Sequence, residues 1–358
     1  MIVKADSLSN RTPYDDQINH KAEISDLNFT LIKSYLHEID SDLYNAADSM
    51  DFVELCRNMH LLSELPEYTK PRNVALMFFN PEPDKFFPYA QIDVVQFPEG
   101  EGGDQIIEQT FKGPLHEQLR AALRYIRNVI ITEKVVKYPD RAEADRFFNY
   151  PYAAIEEALA NAVYHKAYDE REPIEVRVTE NMIEIVSHPG PDRSVTIEGL
   201  KEFKVYSRRY RNRRIGEFLK ELHLTEGRNT GFKKILNALK ANGSPLPEFE
   251  TDEAHDYFVS RFFIHEGFIN DELVSDADKN ETSLKQVLKQ VLKQSKYKKM
   301  LPIIEKLDQN GQISVDEAMT VTGKSRTTVW RYLQALVNAE VVQSVGETNN
   351  VLYTLKHK

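Results

Sequence analysis

Residues 156–168 read EEALANAVYHKAY. Ala158, Leu159, Ala162 and Val163 recur at helical spacing, which predicts a helix packed on most of its circumference. Residues four apart are neighbours on a helix, so Glu157, Asn161 and His165 form a polar stripe along it. Polar groups taken out of water need partners. Two readings meet that need. In one, Asn161 bonds a neighbouring backbone and His165 is a satisfied core histidine. In the other, the stripe faces a ligand.

Two later segments bear on the choice. His188-Pro189-Gly190-Pro191 follows a predicted strand, and Gly227-Arg228-Asn229-Thr230-Gly231 stands directly before a predicted helix. A glycine-rich turn that opens a helix presents free N–H groups and a positive dipole end, which suit phosphate. Asn161 is then a candidate ligand of Mg²⁺, a hard cation that takes oxygen donors. Glu157 is a candidate to orient or deprotonate a water. No GxxxxGK[ST] loop is present: Gly323-Lys324-Ser325 has Ala318 where the first glycine is required, and GRNTGFKK has the wrong spacing.

A length of 358 residues is enough for two or three domains. The single cysteine, Cys56, excludes an internal disulfide and fits a reducing compartment. The N-terminus lacks the apolar core of a secretory signal, and no apolar run approaches the roughly 20 residues that span a bilayer. A soluble, cytoplasmic protein without a membrane partner is expected. Net charge is −10, but residues 285–358 hold 12 Lys and Arg against 6 Asp and Glu, a net of +6 that leaves −16 elsewhere. Any nucleic-acid contact is therefore expected in the C-terminal part.

Along the chain, residues 1–25 predict a polar arm. LNFTLIKSYLHEI and DFVELCRNMHLL predict helices, NVALMFF and AQIDVVQF predict strands, and a helix is expected over 115–130. Residues 26–125 are expected to form a small mixed α/β domain. Residues 126–265 form the next, with a hairpin of IEVRV and MIEIVS turning at Thr179, Glu180 and Asn181, helices at IGEFLKELHL and FKKILNALKANG, and a closing strand at YFVSRFFIH. Asn242-Gly243 is a helix stop. Residues 266–297 predict a linker and an amphipathic helix, SLKQVLKQVLKQ, for docking or oligomerisation. Arg208, Arg209, Arg211, Arg213 and Arg214 are the densest cationic cluster. They are open to three readings: a phosphate clamp, a DNA contact, or a solvated helix start paired with surface acids.

Residues 298–358 run helix, short element, helix, two strands, an order that resembles a winged helix-turn-helix. Gly323 suits the tight turn and Ser325 is an N-cap. Arg326, Thr327, Thr328 and Arg331 are expected on the exposed start of the second helix, where such helices meet double-stranded DNA. Val329, Leu333 and Leu336 are expected in the core. Trp330 is open between core packing, the expectation, and stacking on DNA. The wing is expected from Val342 to Tyr353, with Asn349-Asn350 at its tip. A winged helix used only for protein contacts is the other reading.

The order ExxxNxxxH helix, strand, PG loop and GRxTG turn resembles the GHKL ATP-binding fold of gyrase B, MutL and histidine kinases. More closely, PYAAIEEALANAVYHKAY, SHPGPDRSV, RRYRNRRIGEFLKEL and LTEGRNTGFKKI resemble the ATPase-like module of bacterial RecG-related, Schlafen AlbA_2-type transcriptional regulators, over residues 13–266. NRTPYDDQIN looks like the trailing edge of an AlbA_2 domain. The resemblance implies an α+β fold: a GHKL-like α/β sandwich, preceded by the small mixed unit and followed by the winged helix. It implies ATP and Mg²⁺ as cofactors, Asn161 on the metal, Glu157 as general base, and His165, Gly190, Gly227, Arg228, Thr230 and Gly231 at the nucleotide. Two positions depart from the pattern. SHPGP holds no carboxylate where the wider fold has an aspartate reading the adenine amino group, and Asn229 stands where the usual turn has glycine, a substitution asparagine tolerates at positive φ. The expected protein is an ATP-binding, DNA-binding transcriptional regulator, a dimer, with slow ATP turnover at most. The alternatives are a working ATPase whose winged helix recruits a protein, and a scaffold that binds no nucleotide.

Overall fold

The computed structural model describes residues 12–63, 68–137, 143–205, 210–225, 231–269, 294–338, 342–345 and 351–355. The chain divides into two units, Met1–Asn270 and Asp271–Lys358.

The first unit is built on a six-stranded sheet of order β2-β1-β5-β6-β8-β7. Its strands are β1 (Ile92–Gln96), β2 (Ile107–Phe111), β5 (Ile174–Val178), β6 (Met182–Ser187), β7 (Glu248–Glu250) and β8 (Phe258–Phe263). β3 (Glu133–Val136) and β4 (Asp145–Phe148) form a separate hairpin. β1 and β5 are parallel, and every other pair in the large sheet is antiparallel. The β5–β6 hairpin turns where the sequence predicts, with Val178 opposite Ile183.

The helices of this unit are α1 (Phe29–Glu38), α2 (Leu43–Ala46), α3 (Phe52–Asn58), α4 (Asn73–Phe79), α5 (Leu115–Tyr125), α6 (Tyr152–His165), α7 (Ile197–Lys201), α8 (Arg213–Glu221), α9 (Gly231–Asn242) and α10 (Glu266–Ile269). α5 packs on β1 and β2, α6 on β6, and α9 on α6. The helix expected over 115–130 ends at Tyr125 and widens into a π-helical turn, Ile126–Ile130. Gly243 closes α9 at φ +72°, as its sequence position predicts.

Three expectations change. NVALMFF is not a strand; it is α4, and all seven of its residues are buried. A helix buried all round has no polar face, so a short apolar run reads equally as a core strand. Next, the boundary expected between 125 and 126 cuts a continuous sheet, because β1 on one side pairs with β5 on the other. A parallel pair needs a long crossover connection, here through α5 and α6, and nothing local announces it. The residues of the predicted N-terminal arm that are described, 12–25, are tied into the unit. Asp15 is fully buried and accepts the Ile215 N–H at 3.0 Å, Asn73 donates to the Tyr14 carbonyl at 2.8 Å, and Ile18 bridges Arg72.

An aromatic cluster holds the early helices to α8. Phe218 lies 4.9 Å from Phe78, 5.2 Å from Tyr35 and 5.6 Å from Phe79 between ring centroids. Tyr35 also donates its hydroxyl hydrogen to Glu221.

The second unit comprises α11 (Gln294–Asn310), β9 (Gln312–Ser314), α12 (Val315–Thr322), α13 (Arg326–Asn338), β10 (Val342–Val345) and β11 (Leu352–Leu355), with sheet order β10-β11-β9. This is a winged helix. Ser314 and Glu317 cap α12 reciprocally, and Gly323 ends it in the left-handed region at φ 62°. Val329, Leu333 and Leu336 are buried with Ile303, Ile304 and Leu307. Trp330 is not in that core; it is exposed. Asn349, Asn350 and the amphipathic repeat over 284–292 lie outside the described residues. Among the described residues, no helix is long and apolar enough to cross a membrane.

Gly216 of α8 lies under the Tyr164 ring of α6, and a Cβ there would meet Tyr164 Cζ at 2.1 Å. Gly216→Ala gains up to about 1 kcal/mol of helix propensity but overpacks the contact at a cost of about 1–3 kcal/mol. A net loss of stability is therefore expected in urea denaturation followed by circular dichroism. Equal or greater stability would show that Tyr164 does not rest on α8.

Candidate functional site

The polar stripe of α6 faces a cavity of about 160 Å³. Glu157, Asn161 and His165 all line it and are half-buried, while Ala158, Leu159, Ala162 and Val163 are buried in the packing. The periodicity thus places the three residues together, as predicted. Phe232 and Ile235 of α9, Phe249 of β7 and Phe258 of β8 supply apolar walls, and Ser187 and Ser260 add hydroxyls.

Asn161 Nδ2 donates to Glu157 Oε1 at 3.3 Å. That bond orients the amide and leaves Asn161 Oδ1 as its acceptor face. Lys234 of α9 pairs with Glu157 Oε2 at 3.5 Å. Gly231, the first residue of α9, comes so close that a Cβ would lie 2.8 Å from Glu157 Oε1 and 3.0 Å from Asn161 Nδ2. Any larger residue at 231 would push the carboxylate and the amide off their positions. The helix start, with its positive dipole end, is therefore held against the polar pair.

Mg²⁺ prefers near-octahedral oxygen ligation, and nucleotide sites commonly supply one or two protein oxygens with water and phosphate completing the shell. Asn161 Oδ1 fits as such a partial ligand, with the Glu157 carboxylate beside it able to accept a hydrogen bond from a water of the shell. Among the described residues no group of three or more His, Cys, Asp or Glu could hold a metal by itself.

His165 sits in an aromatic stack, 5.0 Å from Tyr164 and 5.9 Å from Tyr210, whose rings are themselves nearly parallel at 5.0 Å. Burial, with the Arg211 charge adding, pushes its pKa down to about 4. It is a neutral ring at neutral pH. Asn212, at the N-cap of α8, donates to the Tyr164 and Lys166 carbonyls at 2.9 and 2.7 Å, joining the end of α6 to the start of α8. Asp15 takes the Ile215 N–H at that same helix start, and burial pushes its carboxyl up to about 6.

Gly190 also lines the cavity, but its backbone is engaged. Its N–H donates to the His255 carbonyl at 2.8 Å, and Arg211 donates to its carbonyl at 3.3 Å. A Cβ would meet the Tyr257 carbonyl at 2.7 Å, so glycine is required for the loop to seat on residues 251–257. Asp192, next but one, brings a carboxylate to the cavity wall; its Oδ1 accepts the Ser194 N–H at 3.0 Å. Gly227, Arg228 and Thr230, with Arg208 and Arg209, lie outside the described residues. Of the remaining arginines, Arg214 pairs with Glu217 at 2.7 Å and donates to the Met59 carbonyl, so it braces the fold. Sequence reasoning missed Lys234, Tyr210 and Asp192, because their proximity to the stripe is set by tertiary packing.

In the second unit, Arg326, Thr327 and Arg331 are exposed at the start of α13, and Thr328 is half-buried. Ser325 precedes the helix, and its carbonyl accepts the Thr328 and Val329 N–H groups at 2.9 and 3.0 Å. Its hydroxyl meets Thr328 Oγ1 at 3.2 Å, and Arg331 reaches the same oxygen at 3.5 Å. Arg326 pairs with Asp316 at 3.2 Å.

Comparison with known proteins divides the chain in the same way. Residues 172–260 match the family described as "Putative ATP-dependent DNA helicase recG C-terminal". That match takes in Gly190 and Gly231 and begins after α6. Residues 302–343 match the family described as "Winged helix-turn-helix DNA-binding". No curated protein matches the chain. Among solved structures, the DIP2311 protein from Corynebacterium diphtheriae is similar over 97% of this chain and 65% of that one, with 16% identity and a TM-score of 0.54. At that identity the likeness concerns the fold alone, and this chain spans 65% of its neighbour's length. The chain thus carries an ATPase-like module and, after it, a winged helix-turn-helix.

Proposed function

We propose that this chain binds ATP with Mg²⁺ in the cavity between α6, α9 and the sheet, binds double-stranded DNA through its second unit, and acts as a nucleotide-responsive transcriptional regulator in the cytoplasm. The observation that carries the nucleotide reading is the Glu157–Asn161 pair held against Gly231, at the start of α9. In this reading Asn161 holds the metal, which lowers the charge of the phosphates when bound. The Gly227–Gly231 turn receives the phosphates. Lys234 balances Glu157 when no phosphate is near, and Glu157 is the group placed to take a proton from water. His165, kept neutral, serves as an aromatic wall. A dimer would offer two α13 helices to two half-sites of a duplex.

Mg²⁺–ATP should raise the melting temperature, since a ligand that binds only the native state stabilises it by about 2.7 kcal/mol at a hundred times its Kd. Asn161→Ala should lose most of that rise and keep the fold. No rise with millimolar ATP, ADP or GTP contradicts nucleotide binding; an undiminished rise in the variant contradicts the metal role.

Glu157→Gln should retain the nucleotide-induced rise and lose phosphate release, because an amide cannot accept a proton. Phosphate release measured under single-turnover conditions checks this. Equal release by wild type and variant would show that Glu157 is not the base.

For DNA, Arg331→Ala and Arg326→Ala should each shallow the slope of log Kd against log salt by about one on random duplex. The exposed Arg326–Asp316 pair is worth about 0–1 kcal/mol and releases the arginine at little cost. Fluorescence anisotropy across a salt series reads the slopes, and slopes equal to wild type in both variants would remove α13 from the DNA interface.

A further inference from the structure

Trp330 is the only tryptophan in the chain, and it is 52% exposed in the middle of a helix that is otherwise well anchored. Val329 beside it and Leu333 and Leu336 beyond it are fully buried. The orientation of α13 is thus fixed by its apolar stripe, and the indole is turned outward by that same geometry. At about 100° per residue, Arg331 lies near the centre of the outward face and Arg326 and Trp330 toward one edge of it, with Trp330 on the arc between the two arginines together with Thr327 and Gln334.

A single exposed apolar side chain is ordinary on a protein surface. The surroundings of this one are not neutral. Between Glu317 and Glu340 the sequence contains no acidic residue and three basic ones, Lys324, Arg326 and Arg331. An amphipathic ring with an N–H donor at its rim, set between cations on a helix whose described residues carry no carboxylate, with Asp316 of α12 paired to Arg326 as the nearby acid, matches a polyanion that also offers apolar surface. Double-stranded DNA does so: its phosphates alternate with deoxyribose and groove wall.

We propose that Trp330 is a DNA contact, its indole packed against deoxyribose and the groove wall while Arg326 and Arg331 meet phosphates on either side. The contact rests on the DNA-binding reading of the second unit and names a residue through which it is made. Because sugar and groove wall are present at every step, the contact supports binding to duplex of any sequence and positions the helix for base contacts by its neighbours.

The test uses the full chain and a random-sequence duplex, with binding followed by anisotropy of a labelled duplex and, separately, by the protein's own tryptophan emission. Only Trp330 contributes to that emission. It should change on adding unlabelled duplex and saturate at the concentration where anisotropy saturates. W330A should weaken binding about tenfold, the loss expected when one large apolar side chain is no longer covered. Its salt slope should equal that of wild type, since no charge is removed, and its melting temperature should not fall. W330F should recover most of the affinity. Duplex binding with unchanged emission and with W330A as tight as wild type would overturn the contact and leave the DNA reading standing. No duplex binding at any salt concentration would overturn both.

Discussion

The approach of Gly231 to Glu157 and Asn161 is the contact on which the cavity depends. It brings the positive end of one helix onto the polar stripe of another, and it is possible only because residue 231 has no Cβ. α6 cannot move to relieve it. Ala154, Ile155, Ala158, Leu159, Ala162 and Val163 lock that helix into the core, so the carboxylate and the amide are presented at a fixed height above the sheet. The result is a site whose polar atoms sit on a rigid helix and whose opposite wall is the start of a second one.

The rest of the first unit maintains that arrangement. α8 is held to the end of α6 by Asn212 and by Tyr164 over Gly216, to the N-terminal segment by Asp15, and to α4 and α1 by Phe218. The helices that precede the sheet in sequence therefore brace the site from behind. They bury their apolar faces in the same core, which is why the chain up to residue 270 is one unit.

Much of the site was legible because it lies on one element. Glu157, Asn161 and His165 are four apart, and the helix period alone brings them to one face. The hairpin, the end of α9 and the order of the winged helix were legible from alternation and from glycine for similar local reasons. What was not legible is non-local. α4 is surrounded on every side, so its sequence lacks the polar face that distinguishes a helix. The pairing of β1 with β5 leaves no signal in either strand. Lys234 and Tyr210 reach the stripe from elements whose positions only the packed core decides. Trp330 carries the same lesson from the other direction. Hydrophobicity predicted the core, but the register set by Val329, Leu333 and Leu336 places it in solvent.

We propose the cavity over α6 as a nucleotide site organised by Asn161 and Gly231. A crystal structure of the full chain with Mg²⁺ and a non-hydrolysable ATP analogue tests it most directly. The analogue should lie inside this cavity, with its phosphates at the start of α9 and the metal on Asn161. An analogue bound elsewhere on the chain, or a cavity filled only by water at saturating analogue, would contradict it.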